Sequence, residues 1–259
     1  MTSTQPPGFD PRTVCLSIDV DWASDVVVAD IRNMLDERGL KATFFVTHGG
    51  IEVPGHERGL HPNFRRNGDV MRSLVENAGA RTIPEEEIYD QLIATFKAFA
   101  PEAKGVRAHS LHYDSRLMQI YHRQALEYDS SYQIPMVGNL RPFWKEYELL
   151  ELPIYFNDHF ELKTGATGFD ADNLRLGEAG LKVILLHPNI VFLNAASNEQ
   201  YSASKPFYHD HERLLEMRHK GRGVGTLVAD LLDTLVAKSI PVLTLGEVND
   251  HWRSMRKWQ

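Results

Sequence analysis

The sequence is poor in three things, and each shortage excludes something. It holds one cysteine, Cys15, so no disulfide can form within the chain. A lone thiol in the apolar run Val14-Cys15-Leu16 reads as a small core residue. It has no positive excess: 28 Lys and Arg stand against 35 Asp and Glu, a formal net charge of −7. That balance argues against nucleic acid or an anionic membrane as the main partner. No apolar run reaches the roughly 18 residues that a membrane span requires. The opening stretch, Met1 to Gly8, lacks the basic and apolar regions of a secretory signal. The expected location is therefore the cytoplasm.

What is present is ordinary globular material, 42% hydrophobic over 259 residues, enough for one large α/β domain spanning 1–259. Its unusual component is 12 histidines, several just past apolar runs. The most informative stretch is Val14-Cys15-Leu16-Ser17-Ile18-Asp19-Val20-Asp21-Trp22. It begins as a buried strand and ends in two carboxylates. Side chains two apart on a strand share a face, so Asp19 and Asp21 converge at the strand's C-terminal end. Such a pair repels unless a cation binds or one carboxylate keeps a proton. The competing reading is an Asp-rich turn capping the next helix.

Farther along, apolar strand patterns alternate with helical ones, which implies a mostly parallel sheet. Helices are expected over Asp25–Arg38, from Pro84 to about Ala100, over Ser115–Leu126 and over Gly225–Lys238. Strands are expected at Lys41–Thr47, Gly55–His61, Gly105–Ser110, Tyr128–Ser131, Leu149–Phe156, Gly180–Leu186 and Ile240–Leu245. Arg65–Ala80 and the stretch from His187 to about His211 read as polar loops, the first a cover for the site. Roughly seven such units suit an open or distorted barrel.

Polar residues concentrate at the expected strand ends: Asp19 and Asp21, His61, Arg107 and His109, Asp129, Asp158, and His187. In a barrel those ends form one rim, where catalytic groups gather. His61 and His187 each end an apolar strand in the same words, Leu-His-Pro-Asn. The proline stops the strand and leaves the imidazole at its mouth.

These stretches resemble the polysaccharide deacetylases, the NodB-homology family. The resemblance rests on Leu16–Asp21, Leu40–Val46, Gly55–His61, Arg107, Tyr128–Ser131, Leu185–His187 and Pro241–Glu247. It implies a distorted (β/α)7 barrel and a metal-dependent hydrolase that removes an N-acyl group, usually acetyl, from an amino sugar. It also implies Asp19 as general base, Asp21 as metal ligand, Arg107 as the residue positioning the base, and His187 as general acid. A divalent metal, zinc by expectation, would be the cofactor. The partner would be a small-molecule or glycan substrate bearing an N-acyl amino sugar.

One departure matters. The family's second motif usually supplies histidines at i and i+4; His61 matches the first, but position 65 is arginine, which cannot be a ligand while charged. Asn63 is a weaker donor for zinc than imidazole. His109, two residues beyond Arg107, is the expected replacement, giving Asp21, His61 and His109 as the metal set, with His112 in reserve. This pattern resembles the branch found in bacterial O-antigen and surface-polysaccharide gene clusters. Trp22 and Trp144, with Tyr155, are candidate platforms for a sugar ring, core packing being the alternative for each. Asn63 and Asp158 are candidate substrate contacts. Two other readings remain open: a metal-independent amidohydrolase of the same superfamily, and a non-catalytic carbohydrate-binding protein on the same barrel. A barrel glycosidase with two carboxylates leaves both Leu-His-Pro-Asn strand ends unexplained.

Overall fold

Val14–Asp19 forms β1, buried along its whole length, and hydrogen-bonds in parallel to a neighbour on each side. Strands covered on both faces are mostly apolar, as Val14, Cys15, Leu16 and Ile18 are here. In the computed structural model, residues 10–78 and 84–255 are described. After β1 come α1 (Asp25–Asp36), β2 (Ala42–Val46), β3 (Glu57–Leu60), α2 (Asp69–Ala78), α3 (Glu85–Phe99), β4 (Gly105–Val106), α4 (Ser115–Arg123) and β5 (Tyr128–Asp129). Then follow β6 (Phe143–Trp144), β7 (Leu150–Glu151), β8 (Ile154–Asn157), α5 (Asp158–Thr164) and β9 (Lys182–Leu186). The chain ends in α6 (Pro188–Phe192), α7 (Asn198–Ser204), α8 (His211–Glu216), α9 (Val224–Ala237) and α10 (Leu245–Ser254).

The strands lie in the order β6-β7-β5-β4-β3-β2-β1-β9-β8. All pairings are parallel except β6 with β7. The two ends of this order meet. β7 and β8 are parts of one strand, parted by Leu152 and Pro153, and the chain beyond β5 runs alongside both. Leu152 N–H donates to Asp129 O, Ile154 N–H to Tyr132 O, and Ile134 N–H to Ile154 O. The sheet therefore curls into seven staves, β1, β2, β3, β4, β5, β7/β8 and β9, with β6 as an outer flap. This is the expected distorted (β/α)7 barrel.

Helices cover the outside with their apolar stripes inward. In α1 the buried residues are Val27, Val28, Ile31 and Leu35, at helical spacing, and Gly39 ends the turn at φ 62°. β4 and β5 approach so closely that a Cβ on Gly105 would fall 1.9 Å from Cζ of Tyr128, so position 105 admits no side chain. Among the described residues, no helix is long and apolar enough to cross a membrane.

The structure corrects several local expectations. Arg65–Ala80 is not all loop: Asp69–Ala78 is helical, and residues 79–80 lie outside the described part. The single strand expected over Leu149–Phe156 is cut where Pro153 has no N–H to give the ladder. Of Gly105–Ser110 only Gly105 and Val106 form strand, and His109–Leu111 then turns as a one-turn helix. The loop expected after His187 contains α6, α7 and a further turn, held by buried Tyr201 and Leu214. Ile240–Leu245 contributes one bridge, Val242 to Val14, and then Thr244 caps α10.

Candidate metal centre and active site

The first carboxylate, Asp19, is the last residue of β1 and is almost fully buried. The chain then turns sharply: Asp21 and Trp22 both take left-handed φ, 45° and 57°, a conformation Asp tolerates better than most residues. The two carboxylates therefore converge through a turn rather than along a straight strand. Oδ2 of Asp19 lies 3.6 Å, and Oδ1 of Asp21 3.2 Å, from Nε2 of His61.

His61 follows β3, its N–H donating to Val46 O. Its Nδ1 donates to the carbonyl of Arg107 at 2.7 Å. A carbonyl can only accept, so the proton sits on Nδ1 and the lone pair of a neutral His61 is on Nε2, facing the carboxylates. His109 arrives from the turn after β4, anchored by its N–H to Pro62 O. Its Nδ1 stands 3.0 Å from Asp21 Oδ1 and 3.3 Å from His61 Nε2. The three separations, 3.0, 3.2 and 3.3 Å, can be set against a tetrahedral site. With metal–ligand bonds of about 2.0–2.1 Å, one tetrahedral edge is about 3.3 Å. Asp21, His61 and His109 thus form a triangle of donors that fits one face of such a site, and they are a metal-competent group.

Behind the triangle lies a buried cation. Arg107 is fully buried and donates from Nη1 to Asp19 Oδ1 and to Ser17 Oγ, both at 2.9 Å. Its Nε donates to Ser130 O at 2.7 Å, its Nη2 to Ser130 Oγ at 2.8 Å, and the guanidinium lies 4.3 Å over the Phe45 ring. A buried charge is tolerable only when so fully paired. Oδ1 of Asp19 is engaged with Arg107, and Oδ2 faces the cluster.

Across the mouth, β9 delivers His187. Both its ring and its main chain are held by Asp158: Nδ1 donates to Oδ1 and N–H to Oδ2, each at 2.6 Å. Burial alone would depress the imidazolium, but the Asp158 carboxylate and its hydrogen bond prevail, with Asp21 and Asp19 adding to them. His187 is pushed up to about 10. His61 is raised as well: burial opposes the charge, and Asp19 and Asp21 outweigh it. Asp21 moves the other way: burial raises it, but hydrogen bonds from His109 and His61 take it well below the usual carboxylate range. His159, with its ring 4.5 Å from that of His187, is driven down to about 4 by burial and the neighbouring positive charge.

These groups open onto a pocket of about 440 Å³. Asp19, Asp21, His61, His109 and His187 line it together, while Arg107 supports it from behind. The other expectations fare differently. Asp158 does not reach the pocket as a substrate contact; it is fully buried and committed to His187. Trp22 stands edge-on to His109 at 5.1 Å rather than on the lining. Asn63 turns back to accept from the Arg65 N–H. Trp144 lies elsewhere, under the Arg253 guanidinium, and Tyr155 is buried with its hydroxyl on Leu174 O. His112 packs on Phe64, outside the donor triangle, and Asp129 is bound to Lys145.

The lining also contains Arg65, which opens the stretch expected to cover the site, and Gln133, His159, Phe160 and Lys163, which the strand-end pattern does not single out. The spacing of His159, Phe160 and Lys163 was the available signal. They are one helical turn following a strand end, where a helix entering from the rim presents its first face to the pocket.

Residues 16–205 match a family described as "WbmS-like: Polysaccharide deacetylase". Among solved structures, the chain is similar to the WbmS protein of Bordetella bronchiseptica, which is assigned to O-antigen biosynthesis as a polysaccharide deacetylase. That match has a TM-score of 0.73 and 26% identity over 90% of this chain and 94% of that one. A polysaccharide deacetylase-type structure from Mycobacterium smegmatis shares the fold at a TM-score of 0.54 and 16% identity, over 95% and 93% of the two chains. No curated protein matches. The fold and the matches define a carbohydrate deacetylase, a hydrolase class that acts on carbon–nitrogen bonds of N-acyl sugars. Within that class, the chain belongs to the WbmS-like polysaccharide deacetylase family.

Proposed function

We propose that residues 1–259 act as one catalytic unit, a metal-dependent N-deacylase that releases an acyl group, acetyl by expectation, from an amino sugar or sugar precursor. The observation that carries this reading is the donor triangle of Asp21, His61 and His109, whose 3.0–3.3 Å edges suit a tetrahedral cation. Two imidazoles and one carboxylate are a donor set suited to zinc. A divalent metal held there would polarise the amide carbonyl and make water more acidic.

The chain's own groups divide the remaining work. Asp19, gripped on Oδ1 by Arg107, takes the water's proton on Oδ2. His187 is protonated through neutral pH because Asp158 raises it to about 10, and it gives a proton to the departing nitrogen through Nε2. The two partners keep these groups from swapping roles: one is clamped by a cation and the other by an anion. Leu111, Phe160 and Leu185 line the same pocket and offer an apolar surface to the acyl group.

Metal analysis combined with acyl release from N-acetylated sugars tests the reading. The wild type should carry close to one equivalent of divalent metal. Asp19→Asn should keep the metal and lose acyl release, and His61→Ala should lose both. Less than about half an equivalent in fresh wild-type protein, on a one-site basis, or a normal rate in Asp19→Asn, would overturn it.

A further inference from the structure

The pocket wall carries two cations that the hydrolysis does not use. Arg65 and Lys163 both line it, and both are exposed. Arg65 follows His61 by four residues, and its main chain is set by the Asn63 side chain, which accepts from the Arg65 N–H at 3.0 Å. Lys163 lies on α5, one turn beyond His159. The other arginines around the barrel mostly have acidic partners, Arg58 with Glu102, Arg116 with Glu85 and Arg123 with Glu86 among them. Among the described residues, no ion pair involves the side chain of Arg65 or Lys163.

The acids of the pocket cannot serve them. Asp19 is engaged by Arg107, and Asp21 by the two histidines. The neighbouring polar residues, Ser110, Gln133 and Asn157, are neutral. In a chain with net charge −7, two unneutralised cations lining one pocket are a local reversal of sign, which attracts and orients an anion. A guanidinium offers a fork of donors matched to phosphate or carboxylate, and an ammonium adds a point charge.

We propose that the substrate is an anionic amino sugar whose phosphate or carboxylate is bound by Arg65 and Lys163 at the edge of the pocket. The inference rests on the deacylase reading only for where the sugar sits; the anion subsite itself is a property of the wall.

The test is binding, read by calorimetry on the metal-loaded protein with three probes: N-acetylglucosamine, N-acetylglucosamine 1-phosphate and N-acetylglucosaminuronic acid. At about 50 mM salt, at least one anionic probe should bind about ten-fold tighter than the neutral sugar. That advantage should shrink several-fold at about 0.5 M salt, where exposed charges are screened. The doubly substituted Arg65→Gln, Lys163→Gln protein should lose the advantage, with an unchanged melting temperature as its folding control. The probe that wins tells phosphate from carboxylate. Three affinities within about two-fold of one another, no binding of either anion at about 10 mM, or a wild-type ratio in the double variant overturns the proposal. Acyl release measured alongside separates the two readings. An anion preference that disappears in the double variant, without acyl release from any probe, keeps the subsite and removes the deacylase. Acyl release that is equally fast from neutral and anionic sugars keeps the deacylase and removes the subsite.

Discussion

Arg107 and His61 are joined through the main chain: the Arg107 carbonyl accepts the Nδ1 proton of His61 at 2.7 Å, while the Arg107 side chain holds Asp19. One residue thus orients the proposed metal donor with its backbone and the proposed base with its guanidinium. The two jobs can be separated, because a substitution removes only the second.

Arg107→Met should retain metal and lose acyl release by about 100-fold or more, the range for an impaired proton-transfer group. It should also be less stable by about 3–5 kcal/mol, since Asp19 is left buried and unpaired. Metal content by emission spectroscopy, rates, and melting on one preparation check this. Loss of metal along with activity would show that the side chain, not the carbonyl, orients His61.

Zinc should raise the melting temperature of metal-free wild-type protein. At about 100 times its dissociation constant the stabilisation is about 2.7 kcal/mol, or about 5–10 °C for a chain of this size. His109→Ala should abolish the shift and His112→Ala should keep it. The opposite pattern would move the third donor to His112.

Asp129 at the end of β5, Glu151 on β7 and the half-buried Lys145 set a pH dependence. Lys145 reaches both Asp129 and Glu151, at 2.7 and 2.8 Å, so one cation serves two carboxylates. Burial first, and then the Asp129 charge, push Glu151 up to about 8. A raised carboxyl binds its proton more tightly in the folded state. Its contribution is therefore fully present below the ordinary glutamate value and is lost as pH rises through about 8. Glu151→Gln should remove that loss. The melting-temperature difference between variant and wild type should grow in the variant's favour from pH 5 to pH 9, about 4 units across the titration. A difference that stays constant with pH would contradict the assignment.

Gly105→Ala should be among the most damaging single-methyl additions, costing about 3 kcal/mol or more, because the new carbon collides with the Tyr128 ring. That ring cannot yield easily; it is fully buried and its hydroxyl donates to Glu57 at 2.9 Å. Adding Tyr128→Leu should recover part of the loss. A double variant no more stable than Gly105→Ala would place the strain elsewhere.

What could be read directly from the sequence was whatever a strand imposes on its own residues. The apolar run into Asp19, and the two Leu-His-Pro-Asn strand ends, carry position and direction in a few residues, so the donors converged as their order suggested. Features built by distant contacts did not show. Asp158 reads like a rim carboxylate until His187, 29 residues away, takes both its oxygens. Trp144 has the composition of a sugar platform but lies on a flap packed against α10. The start of α10 does carry a local signal. Thr244-Leu245-Gly246-Glu247 is a capping box, which marks a helix start where alternating Val and Leu suggested a strand. The short helices after β9 have 5–7 residues each, too few for a periodicity to emerge.

The seat of β1 between β2 and β9 has a consequence for how the chain is made. Val14 pairs with Lys182, a separation of 182 − 14 = 168 residues. At typical synthesis rates of about 5–20 residues per second, one edge of this fully buried strand waits about 10–30 s for its partner. During that interval the nascent chain carries Asp19, Asp21, His61 and His109 but has neither β9 nor His187, which β9 delivers. The pocket is thus completed by one of the last strands to emerge. Until then the exposed edge of β1 is a template for pairing with other chains, which makes this enzyme's yield in a cell a matter of translation speed and chaperone supply as much as of the stability of the finished barrel.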